Sequence, residues 1–252
     1  MLVLSGAYVL MILTLLYAMA TFTTPGHLWR ALGNEEIRYA IKLSLLSCAL
    51  TTILALWVAI PVGYLMSRHK FPGKNLVDAV LDIPIVLPPL VIGLGLLIVF
   101  QLPIGRALER VFPVTFAIPA VILAQFMVAC AFAVRTMRVT FDQLDPRREQ
   151  VALTLGCSRG EAFWRVVLPE ARRGVLSAAT LAWARSLGEF GPILVFAGAT
   201  RMRTEVLPTT VFLELSVGNI EAAVAVSLIM VLAALIVLAI ARVFRLRRGG
   251  PV

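Results

Sequence analysis

The sequence predicts an all-α polytopic membrane protein with six transmembrane helices. Three observations predict this fold class: 60% of the 252 residues are hydrophobic, only 15% are charged, and the mean hydropathy is +0.93. Soluble domains contain roughly 45–50% apolar and about 25% charged residues. The composition therefore excludes a soluble enzyme, a disordered regulator and a coiled coil.

Stretches without charge mark the predicted spans in chain order. Each stretch of 20 or more uncharged residues can cross about 30 Å of hydrocarbon as a helix. The first predicted span has no ionisable side chain, and the span near 174–200 is apolar but contains Arg185 and Glu189. The six predicted spans are 4–22, 43–67, 83–105, 111–134, 174–200 and 222–241.

The distribution of basic residues predicts the orientation. With both termini in the cytoplasm, the inside segments hold 15 of the 23 Lys and Arg residues and the outside segments hold 7. This asymmetry agrees with the positive-inside rule. The net charge of +9 is then explained by the basic residues of the cytoplasmic segments. The sequence contains no basic stripe with interleaved aromatic residues, which argues against nucleic-acid binding.

The whole chain, 1–252, reads as one transmembrane domain. We expect residues 1–40 to form an N-terminal helix and an external loop, residues 41–241 to form the core, and residues 242–252 to form a basic cytoplasmic tail. The long loop 135–173 lies on the predicted cytoplasmic side. It is far longer than a link between helices requires, and long loops usually carry function.

Two short helices are predicted within this loop. Asp145 is a good N-cap before Pro146, and Gly156 provides the stop. Ser158 then begins the second helix, with Glu161 at the spacing of a capping box. We expect this helix to end at Leu168-Pro169.

Both predicted helices have apolar residues on one face. The first face consists of Val151, Ala152 and Leu155, and the second of Ala162, Phe163, Val166 and Val167. Capped helices with apolar faces outside the membrane are shaped to dock on a partner. The alternative is an interfacial segment that lies on lipid headgroups.

The same residues resemble the EAA motif of ABC-importer permeases. Residues 150–152 (Gln-Val-Ala) correspond to Glu-Ala-Ala, Gly156 follows after three residues, and Val166-x-Leu168-Pro169 has the expected spacing. Gln150 and Val151 depart from the motif, although Glu149 is the adjacent residue.

Other segments resemble the molybdate, tungstate and sulfate (oxyanion) permeases of this family. These segments are 61–74 (from Pro-x-Gly-Tyr-Leu to Phe-Pro-Gly-Lys), 87–97 (Leu-Pro-Pro-x-Val-x-Gly, then Leu-Leu), 186–191 (Ser-Leu-Gly-Glu-Phe-Gly) and 196–198 (Phe-Ala-Gly). The resemblance covers about residues 40–241.

The resemblance implies a MetI-like permease fold, a homodimer in the inner membrane and import of molybdate or tungstate before sulfate. It also implies cytoplasmic ABC ATPase subunits and an extracytoplasmic oxyanion-binding protein as partners, in addition to membrane lipid. The chain has no phosphate-binding G-x-x-x-x-G-K-[ST] motif, and its Gly73-Lys74 is followed by Asn75. We therefore expect no bound cofactor, no metal site and no enzymatic activity in this chain.

Two sets of residues are candidates for function. The resemblance implies a role in ATPase coupling for Glu149, Gln150, Val151, Ala152, Gly156, Val166, Leu168 and Pro169. Candidates for the pathway or gate are Pro88, Pro89, Gln125, Arg185, Glu189 and Phe190. A proline within a membrane helix leaves a backbone carbonyl without its helical partner, which a neighbouring helix or water in a cavity can satisfy. Gln125 is suited to a hydrogen bond between helices.

Arg185 and Glu189 are four residues apart on one helix face and can neutralise each other. They read either as a structural ion pair or as part of a gate before a break at Gly191-Pro192. For the whole chain, the alternative function is a stand-alone secondary carrier or channel. Such a chain usually has interrupted helices in both halves, whereas the long loop occurs once here.

Overall fold

The computed structural model describes residues 2–247, in which all regular structure is helical. The helices of the first half are α1 (Leu2–Phe22), α2 (Pro25–Gly33), α3 (Glu35–Arg68), α4 (Lys74–Val86), α5 (Pro89–Gln101), α6 (Pro103–Val111) and α7 (Ile118–Gln143). Those of the second half are α8 (Pro146–Thr154), α9 (Arg159–Ala162), a π-helical turn (Phe163–Val167), α10 (Leu168–Glu170), α11 (Arg172–Leu187), α12 (Gly191–Phe196), α13 (Leu207–Ser216) and α14 (Ile220–Arg247). The predicted basic tail 242–252 lies partly outside the described residues.

Four helices of the described chain are long and apolar enough to cross a membrane. They comprise Val3–Phe22 in α1, all of α3 and α7, and Ile220–Val243 in α14. Four of the predicted spans therefore correspond to long helices. The helix α1 packs against α14, and otherwise leaves its apolar surface exposed.

The predicted span 83–105 is not one continuous helix. Helices α4 and α5 meet at a bend of 111°, so this stretch is divided among α4, α5 and α6. Leu87 is extended (φ −64°, ψ 139°) because a residue before proline is excluded from the helical region. Pro88 and Pro89 then supply no N–H to continue the ladder of α4. Together α4 and α5 could form a fifth, broken span.

Two other predicted spans have different boundaries. The stretch 111–134 is helical only from Ile118, because residues before it form a turn whose N–H groups are capped by Glu109. Glu109 accepts hydrogen bonds from the backbone N–H of Val114 at 3.3 Å and of Thr115 at 2.6 Å. The stretch 174–200 is two helices, α11 and α12, interrupted at residues 188–190. By length and composition, the described helices provide four spans, or five with the bent pair.

Small residues hold α3, α7 and α11 together at the centre of the fold. Gly63 of α3 lies so close to α7 that an added Cβ would be 2.8 Å from Met137 Cβ and 2.9 Å from Arg138 N. Close approach of backbones through small residues is a principal source of helix association in membranes. The buried alanines that these three helices contribute to the core are Ala55, Ala59, Ala129, Ala133, Ala178 and Ala182.

Candidate functional site

The first short helix of the loop 135–173 begins and ends as the sequence predicts. Asp145 caps α8, its Oδ1 accepting a hydrogen bond from Arg147 N at 3.0 Å. Gly156 has φ +93°, and the N–H groups of Gly156 and Cys157 donate to the carbonyls of Leu153 and Ala152, both at 3.1 Å. This pair of bonds is a Schellman motif, which requires the left-handed conformation that glycine adopts most readily.

The second short helix begins as predicted but continues past its predicted end. The capping box is present, with Ser158 N 2.9 Å from Glu161 Oε2 and Glu161 N 3.3 Å from Ser158 Oγ. Pro169 does not end the helix, because the chain passes through the π-helical turn, where Leu168 N donates to Phe163 O. Pro169 then lies in the first turn of α10, where no N–H is needed.

The two predicted apolar faces each divide between the interior and the surface. Ala152 is buried, whereas Val151 and Leu155 are 56% and 79% exposed. In the second helix Ala162 and Val167 are buried, and Phe163, Val166 and Leu168 are partly buried. Trp164, which the sequence analysis did not single out, is 67% exposed. The outer apolar residues of the segment are therefore Val151, Leu155 and Trp164.

Glu149 faces its own chain. It accepts a hydrogen bond from the Tyr64 hydroxyl, and its Oε2 lies 3.7 Å from Arg68 Nε. Arg68 also donates from Nη2 to the carbonyl oxygen of Leu144 at 3.0 Å. The side chain of Glu149 is only 14% exposed, whereas Gln150 and Pro169 face solvent. Glu149 thus anchors α8 to the end of the long helix α3.

Aromatic packing strengthens this junction. The Tyr64 ring lies 4.8 Å from the Phe163 ring and 5.6 Å from the Phe141 ring, both in edge-on geometry. A second link joins the two ends of the segment, since Arg148 Nη1 lies 2.6 Å from Glu170 Oε1. Sequence reasoning assigned no role to Tyr64 or Arg68, although both lie in a segment that carries the family resemblance.

The structure brings together some of the predicted pathway residues at two helix breaks. Gly191 opens α12 against the start of α5, where an added Cβ would lie 3.2 Å from Leu90 N and 3.4 Å from Pro89 Cβ. An added Cβ on Gly93 would lie 2.7 Å from Pro192 Cα. Pro89 is therefore near the segment that follows Glu189, and both Pro88 and Pro89 are exposed. Phe190 packs on Phe212, with ring centres 5.4 Å apart.

Arg185 and Glu189 form the predicted ion pair, with Arg185 Nη2 2.9 Å from Glu189 Oε1. Glu189 is buried at 1% exposure and Arg185 is 31% exposed, with its guanidinium 5.6 Å from the centre of the Phe132 ring. The predicted position of the helix break is a few residues too far along the chain. The break falls at Gly188, and Gly191-Pro192 begins the next helix instead of interrupting one.

Gln125 joins three helices as an interhelical hydrogen-bond partner. It is 1% exposed, accepts a hydrogen bond from Thr51 Oγ1 at 3.2 Å and donates to Ser186 O at 3.2 Å. These contacts link α7 to α3 and α11. Within residues 2–247, no group of three or more His, Cys, Asp or Glu side chains is placed to hold a metal ion.

A polar cluster on the predicted external side was not found from the sequence. Arg201 pairs with Glu36 of α3, and its Nη2 lies 2.9 Å from Glu214 Oε1 on α13. Nearby Glu205 is fully buried, and neither of its carboxylate oxygens makes a hydrogen bond of standard geometry in the described chain. Burial raises the pKa of Glu205, and Thr210 and Arg201 offset only part of that rise.

Comparison with known proteins identifies the family. Residues 59–249 match the family model described as "Binding-protein-dependent transport system inner membrane component". The chain is 32% identical over 213 residues to the sulfate transport system permease protein CysT of Escherichia coli, covering 83% of this chain and 77% of that protein. It is 36% identical over 216 residues to the molybdenum transport system permease protein ModB of Mycobacterium tuberculosis, covering 84% and 81%.

The fold is similar to that of a solved ABC transporter. A chain of the bacterial alginate ABC transporter, in complex with an alginate pentasaccharide-bound periplasmic protein, superposes with a TM-score of 0.74 at 16% identity. The match covers 97% of this chain and 96% of that one. The family model spans well over half of the sequence. The chain therefore belongs to the binding-protein-dependent transport system inner membrane components, the permease subunits of ABC importers.

Proposed function

We propose that this chain forms the translocation pathway of an ATP-driven importer for a tetrahedral oxyanion, molybdate or tungstate before sulfate. The substrate class rests on the similarity to permeases named for sulfate and molybdenum transport. Membership of the family supports a separate ATPase and an extracytoplasmic binding protein as partners. The proposed assembly contains two copies of this chain, two ATPase subunits and an oxyanion-binding protein.

The segment 146–169 is the proposed coupling element. The observation that carries this proposal is that the segment has two different sides. On one side Glu149 is bound to α3, and on the other Val151, Leu155 and Trp164 are exposed. Exposed apolar groups of this kind on a helix suit a groove on a partner protein. A force on the exposed side would reach α3 through the Glu149 anchor. The exposed Gln150 and Pro169 are further candidates for contact with the ATPase.

The proposed orientation places this segment and both termini in the cytoplasm. It is supported by the excess of Lys and Arg residues in the inside segments. A single thiol, introduced by Arg159→Cys after the native Cys48, Cys130 and Cys157 are replaced by serine, tests it in intact cells. We expect protection from an impermeant reagent until the membrane is opened, and labelling from outside would contradict the orientation.

Reconstitution tests the function. Proteoliposomes would contain this chain, its partner ABC ATPase and the matching binding protein, and uptake of radiolabelled molybdate would be measured. We expect uptake that requires ATP and the binding protein, with competition by tungstate and more weakly by sulfate. Uptake without the ATPase would instead support a stand-alone carrier or channel, and ATP-driven uptake of another solute class would contradict the oxyanion assignment.

A further inference from the structure

A groove lies where the end of α7 meets the start of α11. Its volume is about 790 Å³, within the usual range for small-molecule sites. It is open on the side that is predicted to be cytoplasmic. Its polar lining includes Thr140, Gln143, Arg148, Glu170, Arg172 and Arg173.

The groove carries an excess of positive charge. Arg148 is paired with Glu170 at 2.6 Å. Arg172 and Arg173 are both exposed and have no ion pair within the part of the chain that the structure describes. The three guanidinium groups and one carboxylate leave a formal charge of +2, which matches the charge of a tetrahedral dianion such as molybdate.

Beyond the groove, α7 and α11 continue to pack against each other. Arg173, Ser177, Leu181 and Arg185 follow one another at intervals of four residues and form one row on α11. An added Cβ on Gly174 would overlap the side chain of Thr140, which shows how closely the two helices meet at the groove.

At the other end of the row, Arg185 lies over the ring of Phe132, also on α7. Twelve residues of helix correspond to about 18 Å. Leu181 is 41% exposed and Arg185 is 31% exposed, so the row is partly open along its length. It therefore leads from the helix break beside Glu189 to the basic groove.

We propose that this groove binds the transported tetrahedral oxyanion at the release end of the pathway, with Arg172 and Arg173 as its ligands. The inference rests on the proposed function. Guanidinium groups present a planar fork of N–H donors, which suits the oxygens of such an anion. Because the groove is open and its charges are screened by solvent, binding is weak, as release requires. A phospholipid phosphate has the same chemistry and is the competing occupant.

Modification of a thiol introduced by Gln143→Cys measures occupancy of the groove. The full chain would be placed in nanodiscs of phosphatidylcholine alone and in nanodiscs that also contain phosphatidylglycerol. Reaction rates with an anionic and a cationic methanethiosulfonate would be read by mass spectrometry of the peptide that carries the thiol, so that the native cysteines do not contribute. Millimolar tungstate would be compared with sodium chloride of equal ionic strength.

We expect tungstate to slow the anionic reagent at least twofold in phosphatidylcholine nanodiscs. In the Arg172→Gln/Arg173→Gln variant this protection is lost, and the ratio of anionic to cationic rates falls roughly three- to tenfold. The matched control Lys70→Gln/Arg242→Gln removes two charges of the same sign away from the groove, and retains the protection.

Absence of protection by tungstate, or equal protection in the Arg172→Gln/Arg173→Gln variant, would overturn the proposal. Protection by phosphatidylglycerol alone would overturn it in favour of a lipid site. ATP-driven uptake by the parent proteoliposomes is scored separately. If the parent imports the oxyanion but the groove gives no protection, only this inference fails and the proposed function stands.

Discussion

The hydroxyl of Tyr64 on α3 donates a hydrogen bond to Glu149 Oε1 on α8, 85 residues further along the chain. Arg68, one helical turn beyond Tyr64, lies 3.7 Å from the other carboxylate oxygen. The carboxylate thus has partners on both oxygens from one helix. This contact fixes the proposed coupling segment to a helix of 34 residues that packs against α7 and α11.

The first prediction concerns this anchor. Tyr64→Phe removes one donor from a largely buried carboxylate, which costs about 1.5–3 kcal/mol for a hydrogen bond to a charged group. We expect a lower melting temperature in detergent and a weaker stimulation of ATP hydrolysis by the loaded binding protein. Tyr17→Phe, at a residue on α1 that is 71% exposed, is the control and leaves both unchanged.

Glu149→Gln provides the second arm of this test. In a double-mutant cycle, the effects of Tyr64→Phe and Glu149→Gln on melting are expected to be less than additive, because the two side chains share one contact. Additive effects would mean that the Tyr64–Glu149 contact contributes nothing to the anchor.

The second prediction concerns Arg185 and Glu189. Glu189→Met leaves Arg185 without its partner, and a charged side chain in the membrane costs roughly 2.5–3.5 kcal/mol on insertion scales. We expect poor assembly of this single variant and recovery of assembly in Arg185→Met/Glu189→Met. If the pair belongs to the gate, the double variant assembles with the ATPase but does not transport. Full transport by the double variant would show that the pair is only structural.

The third prediction is a pH dependence of stability that originates at Glu205. Its pKa in the folded protein is raised above the ordinary value of 4.5, chiefly by burial. Between the two values the folded state binds more protons than the unfolded state, so stability falls as the pH rises through the folded pKa. We therefore expect Glu205→Gln to raise the melting temperature at pH 8 relative to the parent, and to do so less at pH 5.

Glu109 gives the opposite sign and serves as the comparison. Hydrogen bonds from Thr115 hold its pKa below the ordinary value, so its contribution to stability is lost as the pH falls. Glu109→Gln is expected to lower the melting temperature at pH 8. If the melting temperatures of the parent and of Glu205→Gln changed with pH in the same way, the pH dependence of stability would not originate at Glu205.

The fourth prediction tests the contact between the two helix breaks. Gly93→Ala places a methyl group 2.7 Å from Pro192 Cα and 2.9 Å from Pro192 O, so α5 and α12 must move apart. Overpacking of this kind costs about 1–3 kcal/mol. Gly95→Ala is a matched control on the same helix, since its added Cβ meets nothing within 4 Å. We expect loss of transport for Gly93→Ala alone. If Gly93→Ala and Gly95→Ala transport equally well, the contact between Gly93 and Pro192 is not needed for transport.

Local features of the coupling segment were predictable from the sequence, because they depend on neighbouring residues. The cap at Asp145, the turn at Gly156 and the Ser158–Glu161 box each involve only a few adjacent positions. The Tyr64–Glu149 contact depends on how α3 and α8 pack, which no local pattern contains.

The helix breaks show a different limit. The length of a stretch without charged residues indicates that the stretch can lie in the membrane. It does not indicate whether the backbone crosses as one helix or bends. The 111° bend follows from Leu87, Pro88 and Pro89, and the sequence pointed to a kink at these prolines but not to the size of the bend. The close contact of Gly93 with Pro192 joins residues 99 positions apart and became visible only in the fold.

The last prediction concerns the turn of the proposed coupling segment. Gly156 has φ +93° and its added Cβ would meet nothing within 4 Å, so the cost of Gly156→Ala is conformational, about 1 kcal/mol or more. Gly156→Asp adds a charge close to the exposed Leu155. We expect both variants to insert normally, since the turn lies outside the long apolar helices. The Asp variant is expected to lose co-purification with the ATPase, or stimulation of ATP hydrolysis by loaded binding protein. Gly160→Ala is the matched control, because that position has the same open space but no positive φ. If Gly156→Asp couples as well as the parent with the ATPase bound at full stoichiometry, the segment 146–169 is not the coupling element.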